Sequence, residues 1–225
     1  MKKVLITGAG GQLGSSMELE DFIMITTSRF HNDAVESPTI DADLDITNEY
    51  QVKTIIAEND PDIIVHLAAM TNVDGCELNP DQAYEVNVRG TVNLLNHFNG
   101  KFVLLSTDYV FDGNEGPYSE NDTVNPKNVY GKTKLEAERK VREFSADWLI
   151  LRTNVVWNIG GKYKASFVDW LVEELDEGNQ VRIVTDQWNN PTHTEDLDCV
   201  INELLKHDAS GLYHYGSAEV LNRYD

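Results

Sequence analysis

Cysteine is scarce in this chain of 225 residues: there are two, Cys76 and Cys199. They form neither a disulfide framework nor a metal-ligand spacing, and the six histidines show no ligand pattern either. A reduced, cytoplasmic protein without a metal is therefore expected. Long hydrophobic runs are also missing; none approaches the roughly 18 residues of a membrane helix. The opening Met1–Gly8 has a basic tip but too few apolar residues for a signal-peptide core, and reads better as a first buried strand. Positive charge is the third shortage. Lysine and arginine total 18 against 38 aspartate and glutamate, a net charge of −20. That balance argues against nucleic acid and against anionic membrane surfaces, because no basic surplus exists to release counterions. A nucleotide would have to be held by local features against an unfavourable global field. No internal repeat or low-complexity tract is present.

What remains is an ordinary globular composition, 41 % hydrophobic and 25 % charged, enough for one sizeable α/β domain and a small appendage. Near-continuous apolar stretches at Val4–Thr7, Phe22–Thr26, Ile63–Leu67, Phe102–Ser106, Trp148–Arg152 and Val181–Val184 read as strands covered on both faces. Helical patterns at Gln12–Leu19, Glu49–Glu58, Asp81–Phe98, Tyr130–Phe144, Phe167–Glu174 and Thr194–Lys206 alternate with them, and Asn79-Pro80 and Asn125-Pro126 mark helix starts. The alternation predicts βαβ units and a Rossmann-type, doubly wound parallel sheet. Residues 1–152 are assigned to the dinucleotide-binding domain. Residues 153–225 form a mixed region, partly returning to the sheet through Gly211–Tyr215 and partly substrate-binding. The ending Asn222–Asp225 reads as a helix start. The first helix is short: about ten residues rise ~15 Å, just enough to return along a five-residue strand of ~16 Å.

Gly8, Gly11 and Gly14, in Thr7-Gly8-Ala9-Gly10-Gly11-Gln12-Leu13-Gly14, follow the first strand and open that helix. Gly8 permits the tight turn, Gly11 lets backbone approach a pyrophosphate, and Gly14 lets the helix pack close, with free amides and the helix dipole facing the diphosphate. After the second strand, Thr26-Thr27-Ser28-Arg29 has no carboxylate for a ribose 2′-hydroxyl. Ser28 and Arg29 suit a 2′-phosphate instead, so NADP(H) is preferred, with NAD(H) the alternative. Asp45 could accept from an adenine amino group with Ile46 against the ring, or Asp45 or Thr47 could cap the next helix; the residues alone do not decide.

Tyr130 and Lys134 in Tyr130-Gly131-Lys132-Thr133-Lys134 stand four apart on one helix face. Chance alone gives roughly half a Tyr-x-x-x-Lys match in this composition, so position supplies the weight. The pair follows a strand ending in Ser106-Thr107-Asp108, which puts hydroxyls at the carboxyl edge of the sheet where open α/β folds bind ligands. Thr107 could polarise a substrate carbonyl. A phenol has a pKa of ~10 and makes a better proton donor when that is brought nearer neutrality; the Lys134 ammonium together with the positive charge of oxidised nicotinamide is expected to lower it. His66 reads as a core histidine. Trp148, Trp157, Trp170 and Trp188 read as core side chains.

The segments Gly8–Gly14, Asp45-Ile46, Ala68–Asp74, Asn87, Ser106–Gly113, Tyr130–Glu136, Arg152-Thr153 and Asp186-Gln187 through Pro191-Thr192 together resemble the dTDP-4-dehydrorhamnose reductase family of extended short-chain dehydrogenases. The resemblance implies an NADP(H)-dependent reductase of the 4-keto group of a nucleotide-linked 4-keto-6-deoxy sugar, with no metal. Tyr130 would donate the proton, Lys134 would hold the nicotinamide ribose, and Thr107 would complete the catalytic set. Asp108 would touch the sugar beside Thr107. Gly11, Gln12 and Leu13 would bind the diphosphate, Asp45 and Ile46 the adenine, and Ala68, Ala69, Met70 and Thr71 would line the cofactor. Val155 stands where rhamnose-forming members place a sugar-contacting tryptophan, so the sugar stays open. Relatives continue for several tens of residues past Asp225, which implies an incomplete C-terminal substrate-binding part. A homodimer is compatible with the family. Epimerases and dehydratases share the fold. The chain also resembles the regulatory β subunits of methionine adenosyltransferase, which bind NADP(H) while regulating a partner.

Overall fold

Seven strands lie side by side in a single parallel sheet of the computed structural model, which describes residues 1–29, 40–158 and 167–224. The strands are β1 (Lys3–Thr7), β2 (Ile23–Ser28), β3 (Ala42–Asp43), β4 (Ile63–His66), β5 (Lys101–Thr107), β6 (Trp148–Thr153) and, from the far end of the chain, Gly211–His214. Their order across the sheet is β3-β2-β1-β4-β5-β6 followed by Gly211–His214. The order reverses direction between β1 and β4. At that switch point the two flanking crossovers leave on opposite faces and open a crevice at the carboxyl ends of the strands.

Burial explains why the strands carry unbroken apolar runs. On one face Leu5, Ile64, Phe102, Leu104 and Ile150 pack under α1 (Glu49–Asn59), α4 (Gly90–His97) and α5 (Val129–Phe144) through Val52, Leu94 and Val141. On the other, Val4, Ile6, Val65, Val103 and Leu149 meet Leu13, Met17 and the apolar stripe Leu197, Ile201 and Leu205 of a later helix, Thr194–Lys206. Each fully buried aliphatic side chain contributes about 1.5–3 kcal/mol of hydrophobic stabilisation. Between β4 and β5 run α2 (Val73–Leu78), α3 (Pro80–Tyr84), a π-helical turn at Glu85–Arg89, and α4. The expected single helix Asp81–Phe98 is therefore one helical rod with a π-bulge in it. α2 was not expected; its cap is Asn72, whose side chain accepts from the Gly75 amide.

Several expectations fail for identifiable reasons. Gln12–Leu19 is not an α-helix. Only a 3₁₀ turn forms, at Gly14–Ser16, where the Ser15 and Ser16 hydroxyls donate back to the carbonyls of Gln12 and Leu13. Short polar side chains thus satisfy the groups that would have propagated a helix. Asn48, not Asp45 or Thr47, caps α1. Asn128, three residues after Asn125, caps α5. Val181–Val184 forms no strand and pairs with none among the described residues; its residues are half-buried or exposed. Of the tryptophans, half-buried Trp148 packs against the core as expected; Trp157 is half-buried against His193, and Trp170 and Trp188 are exposed.

The C-terminal part is built from small pieces. β7 (Val156–Trp157) pairs with β9 (Thr192–His193), and β8 (Trp188–Asn189) pairs with β11 (Leu221–Asn222). α6 (Phe167–Asp176) buries none of its residues, whereas α7 (Thr194–Lys206) and β10 (Gly211–His214) return to the main sheet. Asn222, expected to begin a helix, is a strand residue; Asp225 lies outside the described residues.

Candidate functional site

A cavity of about 750 Å³ opens along the carboxyl ends of β1, β4 and β5. It is lined by Gly8, Gly11, Gln12, Leu13 and Gly14, by Ser28, Arg29, Asp45 and Ile46, by Ala68, Ala69, Met70 and Thr71, and by Thr107, Asp108, Tyr130 and Lys134. Every residue singled out in the sequence as a cofactor, substrate or catalytic candidate thus faces one space.

The glycine turn has the shape of a dinucleotide cradle. Gly8 has φ +74°, and a Cβ there would stand 2.6 Å from the Ala68 amide nitrogen, so β1 and β4 approach too closely for any side chain. A Cβ on Gly11 would meet only the Gly8 carbonyl, at 3.2 Å, which leaves its other side open to the cavity. The diphosphate would be met by loop amides alone. The helix dipole expected behind the turn is absent, because a three-residue 3₁₀ turn has too few aligned peptides to sum into one. Ile46 is buried and fills the space that Gly90 leaves on α4. Asp45 spends Oδ1 on the Thr47 amide and hydroxyl, at 2.9 and 2.7 Å, in a local turn. These residues fit NADP(H) in the first half of the cavity, with Ser28 and Arg29 at the end where a 2′-phosphate would lie.

The second half is organised by α5. Gly131 permits it: a Cβ there would collide with the Tyr109 carbonyl oxygen, so the helix rests directly on the short turn after β5. That contact brings Tyr130 to the turn after β5, where it faces the same cavity as Thr107. The Thr107 hydroxyl donates to Asp108 Oδ1 (3.1 Å) and accepts from the Tyr109 amide (3.2 Å). The Tyr109 ring meets Tyr130 edge-on, with centroids 5.7 Å apart.

Burial dominates the electrostatics. It pushes the Tyr130 phenol well above the usual tyrosine range, with Thr107 opposing and the Asp108 charge adding to the rise. It draws Lys134 down to about 8, against the pull of Glu138 one turn on. Asp108 is raised to about 6, again by burial, with Thr107 and local amides opposing. The expected lowering of Tyr130 by Lys134 is therefore not met by the protein's own groups. Desolvation of the phenolate outweighs it.

Two buried networks, not foreseen from the sequence, hold these groups in place. Asn87, in the π-bulge, accepts from the Met70 amide (2.7 Å) and donates to the Met70 carbonyl (3.1 Å) and to Thr133 Oγ1 (3.0 Å), one turn from Tyr130. His66 links Thr7 (2.7 Å) to Thr91 (3.0 Å), and Thr91 donates to the Asn87 carbonyl (2.8 Å). Because the Thr91 proton goes to that carbonyl, His66 must donate through Nε2 and accept through Nδ1. It is a neutral core histidine, with a pKa lowered to about 3 by burial and the nearby Lys134. The second network is Glu138, which accepts from Arg152 at 2.8 and 2.7 Å and from Ser106. Arg223 also lines the cavity, beyond Tyr109; no local pattern in the sequence marks it. Among the described residues no cluster of metal-ligating side chains occurs, and no helix is long and apolar enough to cross a membrane.

The chain is similar to known proteins over its whole length. A family model described as the RmlD substrate binding domain matches residues 1–225. A dTDP-4-dehydrorhamnose reductase of Aggregatibacter actinomycetemcomitans is 36 % identical over 238 aligned positions, covering 100 % of this chain and 76 % of its own length. A dTDP-4-dehydrorhamnose reductase of Bacillus anthracis, solved in complex with NADP, superposes with a TM-score of 0.85 at 33 % identity, over 98 % of this chain and 76 % of its own. The methionine adenosyltransferase 2 subunit beta of Danio rerio is 32 % identical over 100 % of this chain and 71 % of its own length.

Proposed function

We propose, from the premise that this chain belongs to the family of the RmlD substrate binding domain, that it reduces the 4-keto group of a nucleotide-linked 4-keto-6-deoxy sugar with NADPH. It is read as an NAD(P)-dependent oxidoreductase on a nucleotide sugar, as the reductases among its relatives are named. In this reading residues 1–152 carry the dinucleotide and residues 153–225 most of the substrate side. The observation that carries the proposal is the single cavity shared by the glycine turn and by Thr107, Tyr130 and Lys134.

Bound NADPH supplies the hydride that reduces the carbonyl carbon. Gly11, Gln12 and Leu13 hold the diphosphate on backbone amides; Asp45 and Ile46 flank the adenine; Ala68, Ala69, Met70 and Thr71 form the wall along the cofactor. Ser28 and Arg29 take the 2′-phosphate and favour NADPH over NADH. Tyr130 keeps its proton at neutral pH because its phenolate is poorly solvated, which suits a donor to the carbonyl oxygen. Thr107, facing the same cavity, offers the oxygen a second hydrogen bond. Lys134, still largely cationic at pH 7, orients the ribose, and its charge stabilises the phenolate left after proton transfer. Asp108 accepts from a sugar hydroxyl.

The test follows absorbance of the reduced nicotinamide while the protein is offered dTDP-linked 4-keto-6-deoxy sugars with NADPH or NADH. Oxidation faster with NADPH supports the reading. NADPH binding without oxidation, together with retention of a methionine adenosyltransferase catalytic subunit in a pull-down, would replace it with the regulatory role that the Danio rerio relative's name suggests.

A further inference from the structure

The proposed function leaves one buried charge pair without a chemical role. Glu138 on α5 is 1 % exposed and Arg152 on β6 is 4 % exposed. The guanidinium fork grips both carboxylate oxygens, Nε on Oε1 at 2.8 Å and Nη2 on Oε2 at 2.7 Å, and Ser106 donates a third hydrogen bond. Arg142, one turn further along α5, stands 3.7 Å from Oε2. Arg152 is fixed on its other side too. Its Nη1 donates to His214 Nε2 on β10 at 3.3 Å, and its guanidinium lies over the Phe111 ring, 5.2 Å from the centroid. A buried ion pair is costly to desolvate, and packed apolar residues often serve stability equally well. The placement of this one gives it a further use. Ser106 and Arg152 face each other in register on β5 and β6, each one residue before Thr107 and Thr153, which line the cavity.

On α5, Tyr130, Lys134 and Glu138 stand four apart in a helix unbroken from Val129 to Phe144. They form one stripe, with Lys134 one turn from the phenol and one turn from the carboxylate. Lys134 is itself 4 % exposed, so Glu138 neighbours two buried cations, Lys134 and Arg152. The other titratable groups there offer no second counter-charge. His66 on β4 and Cys76 on α2 are neutral, Tyr130 keeps its proton, and Asp108 lies against Thr107 on the turn after β5. His214 and Glu120 stand beyond Arg152. With a neutral group in place of Glu138, a buried ammonium would share the space with an unpaired guanidinium, and the ammonium is the one able to shed its proton. We infer that Glu138, held by Arg152 and Ser106, is the positioning residue that keeps Lys134 cationic beside Tyr130 and so sets the upper pH limit of turnover. Burial already draws Lys134 down to about 8 with Glu138 in place, which leaves a narrow margin above neutrality. The link to turnover rests on the function proposed above; the coupling between Glu138 and Lys134 does not.

The test has two readouts on the full chain. The first follows the titration of Lys134 by NMR of isotope-labelled lysine, its signal assigned with Lys134→Arg. Glu138→Gln should move deprotonation of Lys134 to lower pH, an about 10- to 100-fold change in its equilibrium constant, as for opposite charges ~6 Å apart at an effective dielectric of about 20. Glu138→Asp should keep most of the parental value. The double variant Glu138→Gln/Arg152→Gln leaves no buried charge unpaired; it should titrate between the parent and Glu138→Gln, and it stands in if Glu138→Gln does not fold. Parental titration of Lys134 in Glu138→Gln, or in the double variant where the single one does not fold, would overturn the inference, because a purely structural clamp would lower stability without moving that proton. The second readout is the pH profile of NADPH oxidation. In Glu138→Gln its alkaline limb should fall at lower pH in step with Lys134, and the rate should recover towards the parent on acidification. A uniform loss at every pH would overturn the link to turnover. A parent that oxidises NADPH with no 4-keto sugar would overturn the proposed function instead, and the NMR titration would still decide the coupling of Glu138 to Lys134.

Discussion

The two ends of the cavity are built in different ways. The cofactor end rests on β1, β4 and β5, strands of four to seven residues in register with both neighbours and covered on both faces. The end proposed for the substrate rests on β7, β8, β9 and β11, each two residues long, and on α6, whose residues are half-buried or exposed. The difference teaches where precision comes from. Backbone amides around a diphosphate must be placed by close strand packing, as at Gly8 against Ala68. A sugar and its phosphates can instead be met by side chains carried on short pairings, which can change without disturbing the sheet. Segments with few buried apolar groups also open locally at low free-energy cost, which suits the end through which substrate enters.

That contrast can be broken by mutation. Ile64 is fully buried in β4; Ile64→Ala should cost about 2–5 kcal/mol in denaturant unfolding. A loss below about 1 kcal/mol would mean the sheet is not the rigid partner. The next effect, smaller, concerns pH. His66 is held at a pKa of about 3 in the folded chain against 6.5 when exposed. Below 6.5 the unfolded chain takes up a proton that the folded one refuses, so this contribution to stability is present above 6.5 and is lost as pH falls towards 3. Between pH 7 and 5.5 the parent should lose about 1 kcal/mol more than His66→Gln. Equal losses in both would show that His66 is not the buried neutral link between Thr7 and Thr91. The smallest effect is expected on α6: Leu175 is 56 % exposed, and Leu175→Ser should change stability by no more than about 0.5 kcal/mol. A large loss there would erase the difference between the two ends.

Much of the cofactor end was legible in the sequence because its physics is local or periodic. β4 and β5 needed only unbroken apolar runs, and the glycine turn only its place after β1. The proposed catalytic pair, Tyr130 and Lys134, was legible as a spacing on α5 and the two side chains line one cavity, though their electrostatics were not: Tyr130 is dominated by burial, which no spacing reveals. The failures share a cause. Gln12–Leu19 had helical spacing, but serine hydroxyls satisfied its carbonyls. Val181–Val184 had strand composition, but among the described residues no strand pairs with it. Asn87 and Glu138 join residues 17 to 46 and 14 to 32 positions away. Those links exist only once the sheet has formed.

The central claim is that the Tyr130 phenol protonates the substrate carbonyl oxygen in a cavity that binds NADPH independently of that hydroxyl. Its most direct test is single-turnover NADPH oxidation by Tyr130→Phe beside a fluorescence titration of NADPH. The expected result is a rate about 10²- to 10⁴-fold below the parent, the range for loss of a general acid, with NADPH affinity unchanged. A rate within about tenfold of the parent, a barrier change of only ~1.4 kcal/mol, would contradict it.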